Sequence, residues 1–216
     1  VGEFDAVVLS ATGEAVLVDW LRDAGFQVPA NMEDAVFPYV QKRWFFVALR
    51  IQPRVAERQA YTADIAPIGI RFPTEQLVYP LAISRASSRR QTAILLVTLA
   101  DSAMVCDQLP VVELPLGKEQ PPGVSYATMR RRAVQGAAPS CIREYTGGNA
   151  KPYRDLYWQK GERPPDPQTL VQMKATRLWT LLNRSDMGDL TFTPSSGDAF
   201  ELHVFRDGAL YRTFKE

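Results

Sequence analysis

Histidine is almost missing from this chain. His203 is the only one among 216 residues, and cysteine occurs just twice, at Cys106 and Cys141. One imidazole leaves no multi-histidine metal centre, and two cysteines without Cys-x-x-Cys spacing leave no four-thiolate zinc or iron–sulfur site within the chain. Long hydrophobic runs are missing too. The longest strongly apolar stretches, 44–49 and 93–99, fall well short of the roughly 20 residues a membrane-crossing helix needs. There is no excess of one charge: 25 Lys and Arg face 24 Asp and Glu. No overall field draws the molecule to a phosphate backbone, so no nucleic acid partner is expected. The chain also has no Gly-rich phosphate loop ending in Lys and Ser or Thr, no EF-hand loop and no His-Glu-x-x-His signature. No cofactor is therefore expected.

What is present is the composition of a folded chain, 46% hydrophobic and 23% charged. A chain of this length buries roughly 70% of its unfolded-state surface and supports its own core. It starts at Val1 without an initiator Met or a basic and apolar leader, which reads as a processed chain or a piece of a longer one. The expected organisation is a main domain over 1–116 and a smaller C-terminal part over 117–216, with the proline-rich stretch 110–122 at the boundary.

Along the chain, 4–9 reads as a strand. A helix follows through Glu14, Val16, Leu17, Trp20 and Leu21, with Val16 and Trp20, and Leu17 and Leu21, four apart on one buried face. Gly25 is placed to end it in a left-handed conformation. Pro38 interrupts the next helical stretch, and 44–51 reads as a strand. Further strands are expected at 68–72, 77–83, 103–106, 111–114 and 141–145. The run 92–99 reads as a central strand covered on both sides. Ser125 is a cap for a helix through Val134, and Thr169 for one running to about Leu182. The end reads as strands near 190–192, 200–206 and 209–214, with Asp207 and Gly208 as a two-residue hairpin turn. Short strands with a few helices predict an α+β fold, a mixed and largely antiparallel sheet with several short packing helices.

The chemistry candidates are few. His203 shares a strand face with Glu201 and Phe205 and reads as an ordinary sheet residue. Asp186 and Asp189, together with Asp198, are the most local acids that could serve a metal-dependent or acid/base hydrolase, and the same residues suit turn chemistry. Cys106 and Cys141 either close a loop of about 36 residues, in a bridge worth on the order of 4 kcal/mol, or stand as two buried thiols. From Lys118 to Arg163 there are nine Lys or Arg against four Asp or Glu. The Arg, Tyr and Trp residues in this stretch are the kind favoured as protein-interface anchors. Arg130, Arg131, Tyr153, Tyr157 and Trp158 are the candidate contact residues.

Several ordered segments resemble one family. They are Phe4-Asp5-Ala6-Val7-Val8-Leu9, Trp20-Leu21-Arg22-Asp23-Ala24-Gly25-Phe26, Leu77-Val78-Tyr79-Pro80-Leu81, Arg143-Glu144-Tyr145-Thr146-Gly147, Thr176-Arg177-Leu178-Trp179 and Asp189-Leu190-Thr191-Phe192. Together they are similar to the DUF2330 family of uncharacterised bacterial proteins. The resemblance implies a secreted or envelope-facing protein and a part lying downstream of a cysteine-containing region. It implies no reaction, cofactor or catalytic residue. The expectation is a noncatalytic envelope-associated binding or structural module, an accessory subunit with a protein partner or larger assembly, and the clustered-acid hydrolase is the alternative.

Overall fold

The computed structural model describes residues 4–51, 68–114, 124–136, 138–153, 166–196, 199–204 and 210–214, with backbone alone at 152, 167 and beyond Phe200. The chain divides into two units, Val1–Arg71 with Ala82–Ser87, and Phe72–Leu81 with Ser88–Glu216. The boundary expected at 116 falls inside the second unit, because strands from both sides of it hydrogen-bond into one sheet.

In the first unit, β1 (Phe4–Leu9) and β2 (Phe46–Ile51) pair antiparallel, from Leu9 opposite Phe46 to Phe4 opposite Ile51. Between them lie α1 (Glu14–Asp23) and α2 (Met32–Gln41). Leu17, Val18, Val36 and Val40 form the core, with Leu9, Leu21, Phe46 and Ile83 against it. The buried face of α1 is therefore Leu17, Val18 and Leu21. Val16 and Trp20, expected inside, are 61% and 40% exposed. Both helices end in Schellman geometry. Phe26 N–H bonds Leu21 C=O and Gly25 N–H bonds Arg22 C=O, with Gly25 at φ +80° as its position suggested. Trp44 N–H bonds Tyr39 C=O and Arg43 N–H bonds Val40 C=O, with Arg43 at φ +57° taking the place glycine usually fills. Pro38 does not break α2. The turn holding it is fixed by the buried Tyr39 and Val40, and Tyr39 meets Trp44 and Phe46 at ring separations of 5.5 and 6.5 Å.

The second unit is built on a five-stranded antiparallel sheet in the order β10 (Leu210–Phe214), β9 (Phe200–Val204), β6 (Cys141–Asn149), β7 (Lys174–Asn183), β4 (Gln91–Ala100). A three-stranded sheet orders β3 (Leu77–Tyr79), β8 (Leu190–Pro194) and β5 (Met104–Cys106). One core cluster joins Leu178 and Leu182 of β7 to Met104 and Cys106 of β5 and Leu190 and Phe192 of β8. This is where the two sheets pack. The other face of β7 carries Trp179 and Leu181 against Met129 and Val134 of α3 (Tyr126–Val134). β7, fourth in the order, is therefore buried on both faces.

That arrangement corrects two expectations. Among the described residues the run 92–99 is an edge strand. Residues 174–182 are strand, and the helix before them, α4 (Pro167–Gln172), is short and capped by Asp166, whose Oδ1 accepts from Gln168 N–H at 3.0 Å, instead of by Thr169. The leucines of 170–182 mimic a helical stripe, but the alternation from Ala175 to Leu182 satisfies two cores at once, which a strand does with period two. Residues 68–72 form no strand, 77–83 is strand only to Tyr79 before a 3₁₀ turn at Ala82–Ala86, and 111–114 contributes a single bridge from Val111 to Cys141. The Ser125 cap is as expected, its Oγ accepting from Thr128 N–H at 3.2 Å. Asp207 and Gly208 lie outside the described residues.

Candidate functional site

The strongest convergence of charge is at Glu144, on the α3 side of the five-stranded sheet. Its position comes from a β-bulge. Arg143 pairs with Leu178 and Tyr145 with the very next residue of β7, Arg177, so Glu144 is the extra residue of β6. A bulge resets the alternation of faces. Ile142 packs on the α3 side and Tyr145 reaches the same face beside Ala175, while Thr146 turns to meet Thr176. A second irregularity, between Thr146 and Asn149, holds Gly147 at φ +71°. A Cβ there would sit 3.0 Å from Ala199 Cα, so only glycine fits both the conformation and the approach.

Glu144 is 5% exposed. Tyr126 Oη donates to Oε1 at 2.5 Å, and Arg130 Nη1 donates to the same oxygen at 3.2 Å. Arg177 Nε stands 3.0 Å from Oε2, a Coulombic contact off the N–H axis, since that Nε has no hydrogen-bond partner among the described residues. Tyr126 and Arg130 are four apart on α3 and so share its inward face. The Arg130 guanidinium lies 4.4 Å from the Trp179 ring centroid and 5.4 Å from that of Tyr126. Aromatic faces thus compensate part of its desolvation. Burial, and then the hydrogen bond to Glu144, push the Tyr126 phenol well above its ordinary value. It keeps its proton across the physiological range and serves as a donor. The chain's own groups cover both carboxylate oxygens, and the arrangement ties α3 to β6 and β7 as an internal lock.

The candidate residues from the sequence are distributed differently. Arg130 is part of this lock. Arg131 is exposed on α3, and Tyr153 is buried edge-on to Tyr145 at 5.6 Å. Tyr157 and Trp158 lie outside the described residues, as do Asp198 and the His203 side chain. Asp186 accepts from Asn183 Nδ2 at 2.8 Å and Ser185 Oγ at 3.0 Å, ordinary turn chemistry. Among the described residues no three His, Cys, Asp or Glu side chains gather as a metal would require. Cys106 and Cys141 are buried free thiols in the same core cluster. Cys141 Sγ donates to Leu109 C=O at 3.2 Å, and burial, then the neighbouring Cys106, push its thiol up to about 12. It carries almost no thiolate at neutral pH and is a poor nucleophile. A second polar cluster sits on the three-stranded sheet. Asp107 accepts from Thr191 Oγ1 at 2.6 Å and Thr193 Oγ1 at 2.8 Å, and Gln108 exchanges bonds with Thr191.

Glu144, Arg177 and Trp179 stood in segments that carried the family resemblance, but neither they nor Tyr126 were named as site residues. The available signal was the i, i+4 pair Tyr126 and Arg130 on a helix whose inward face has to meet something polar.

Open antiparallel sheets and short helices define an α+β protein, with a cluster of one carboxylate and two guanidinium groups between α3, β6 and β7. Residues 1–193 match the family described as an uncharacterized protein conserved in bacteria, DUF2330, and the chain belongs to that family. No curated protein and no solved structure matches it. No described helix is long and apolar enough to cross a membrane.

Proposed function

We propose that the protein is a noncatalytic binding or structural module of the bacterial envelope, working as an accessory part of a larger assembly. The observation that carries this reading is the enclosure of Glu144 by groups of its own chain. The most buried acid of the described fold is held by a phenol and two guanidinium groups of its own chain. A general base needs an oxygen that a substrate proton can reach, and Glu144 is 5% exposed. Asp186 is bonded within its own turn in the same way. The envelope part of the reading is what the family resemblance implies. Arg131, exposed on α3, is the contact residue within the described fold, since Arg130 and Tyr153 face inward.

The test is a photoreactive side chain at position 131 in the endogenous protein, with cell fractionation and mass spectrometry of the adducts. The expected result is an envelope-fraction adduct to one other protein, reproducible across preparations. Recovery with no adduct, or in the cytosolic fraction, overturns the reading.

A further inference from the structure

Among the described residues β4 is a ten-residue edge strand without the usual protective features. It pairs with β7 over its whole length, from Gln91 opposite Asn183 to Ala100 opposite Lys174, with no register shift. It ends the sheet, and among the described residues no strand covers its outer side. Edge strands normally carry lysine, proline or a bulge that discourages a further strand. From Gln91 to Ala100 there is no charge, no proline and no bulge. In the middle of this edge Leu95 is 58% exposed, and Ala93 and Gln91 on the same face are exposed with it.

Charges appear only just beyond the two ends. Arg89 precedes the strand and Asp101 follows it, both exposed, each six residues from Leu95 in opposite directions. We infer that the protein forms a two-fold dimer by antiparallel pairing of β4 with β4 of a second copy, with Leu95 on the axis. Residues directly opposite in an antiparallel pair share a face. In this register Ala93 stands opposite Val97 and Gln91 opposite Leu99 of the second copy, so like faces continue across the seam. Arg89 then stands opposite Asp101 of the second copy, and the symmetry repeats that pair. Moving the axis to Ile94 places Arg89 opposite Leu99, and moving it to Leu96 places Arg89 opposite Ala103. Either shift loses both charge pairs. The edge is thus complementary to itself in one register, the requirement for an isologous interface. Two five-stranded sheets become one continuous sheet. This inference stands independently of the proposed function.

Sedimentation equilibrium of the full chain over about 1–200 μM covers the affinities expected of a modest interface. The expected result is a mass rising to that of a dimer. Leu95→Lys sets two ammonium groups together on the axis and weakens association at least about tenfold. Its exposure makes a folding defect unexpected, and far-UV circular dichroism checks this. Arg89→Asp and Asp101→Arg each put like charges opposite one another, and each weakens the dimer about threefold, whereas the double variant recovers wild-type affinity. A monomer throughout the range overturns the proposal. A dimer indifferent to Leu95→Lys, or one in which the double charge variant fails to recover, overturns it equally, and the charge variants decide the matter even if Leu95→Lys does not fold.

Discussion

The two units of this protein bury different things. The first encloses hydrophobic side chains, Leu17, Val18, Val36 and Val40 around a single phenol, Tyr39, whose oxygen accepts from Ile83 N–H at 3.3 Å. The second holds the buried threonine, serine and acidic side chains described: Thr98, Ser140, Glu144, Thr146, Thr176 and Thr180. The difference follows from topology. A two-stranded hairpin with its connecting helices needs few constraints, because its register follows from the strands and helix ends. A five-stranded sheet can slip. Sliding β6 by one residue against β7 would turn every side chain to the wrong face. Thr146 and Thr176, with hydroxyls 3.4 Å apart, and Glu144 beside Arg177 make such a slip costly. Buried polar groups here act mainly on register, and hydrocarbon supplies the stability.

The largest test of that contrast is Glu144→Ala. It leaves Arg130 and Arg177, whose side chains are only 27% and 30% exposed, without their counter-charge. The expected loss is about 3 kcal/mol, at the low end for a broken buried pair because the guanidinium groups keep some water. Calorimetry should show it in the transition of the second unit. Glu144→Gln keeps the acceptor for Tyr126 and should lose less. A loss within the range of ordinary surface substitutions would mean that Glu144 fixes nothing.

Next in size is Val18→Ala in the first unit, fully buried in its small core. Removing two methyl groups there should cost about 2 kcal/mol. Native-state hydrogen exchange reads where the loss falls. Amides of α1 and α2 should exchange faster while those of β7 keep their protection. Equal acceleration in β7 would erase the distinction between the units.

How much of this could be read from the residues depended on whether the cause was local. Ser125 and Gly25 were legible because capping and a left-handed turn are decided within four residues. β1, β5 and β8 were legible from short apolar runs. The helix expected over 169–182 failed because Leu170, Leu178 and Leu181 satisfy a helical stripe as well as a strand. Only the two cores meeting at β7 decide between them, and that is a tertiary fact. The edge position of β4 was hidden for the same reason. Its apolar run looks central, and nothing within it reveals an open side. Arg43 in a left-handed conformation ran against residue preference, and the bulge at Glu144 has no sequence signature at all. The site was accordingly less legible than the fold. Arg130 was picked out as an outward anchor, and it faces inward because Trp179 and Glu144, distant in sequence, await it.

The smallest expected effect has the opposite sign and sharpens the contrast most. Thr98 is 7% exposed on β4, directly opposite Thr176, yet its hydroxyl has no hydrogen-bond partner among the described residues, while Thr176 Oγ1 accepts from Met104 N–H at 3.0 Å. An unpaired buried hydroxyl lowers stability by its lost hydration without returning a bond. Thr98→Val keeps the branched shape and the strand preference and should stabilise the second unit by about 1 kcal/mol. Urea titration of the two chains, with the slope unchanged, is the measurement. If the hydroxyls of this unit act on register, one without a bond among the described residues is the member the register can do without. A loss of stability on Thr98→Val would show the threonine row acting as a connected network, and the division between polar register and apolar stability would have to be redrawn within the second unit itself.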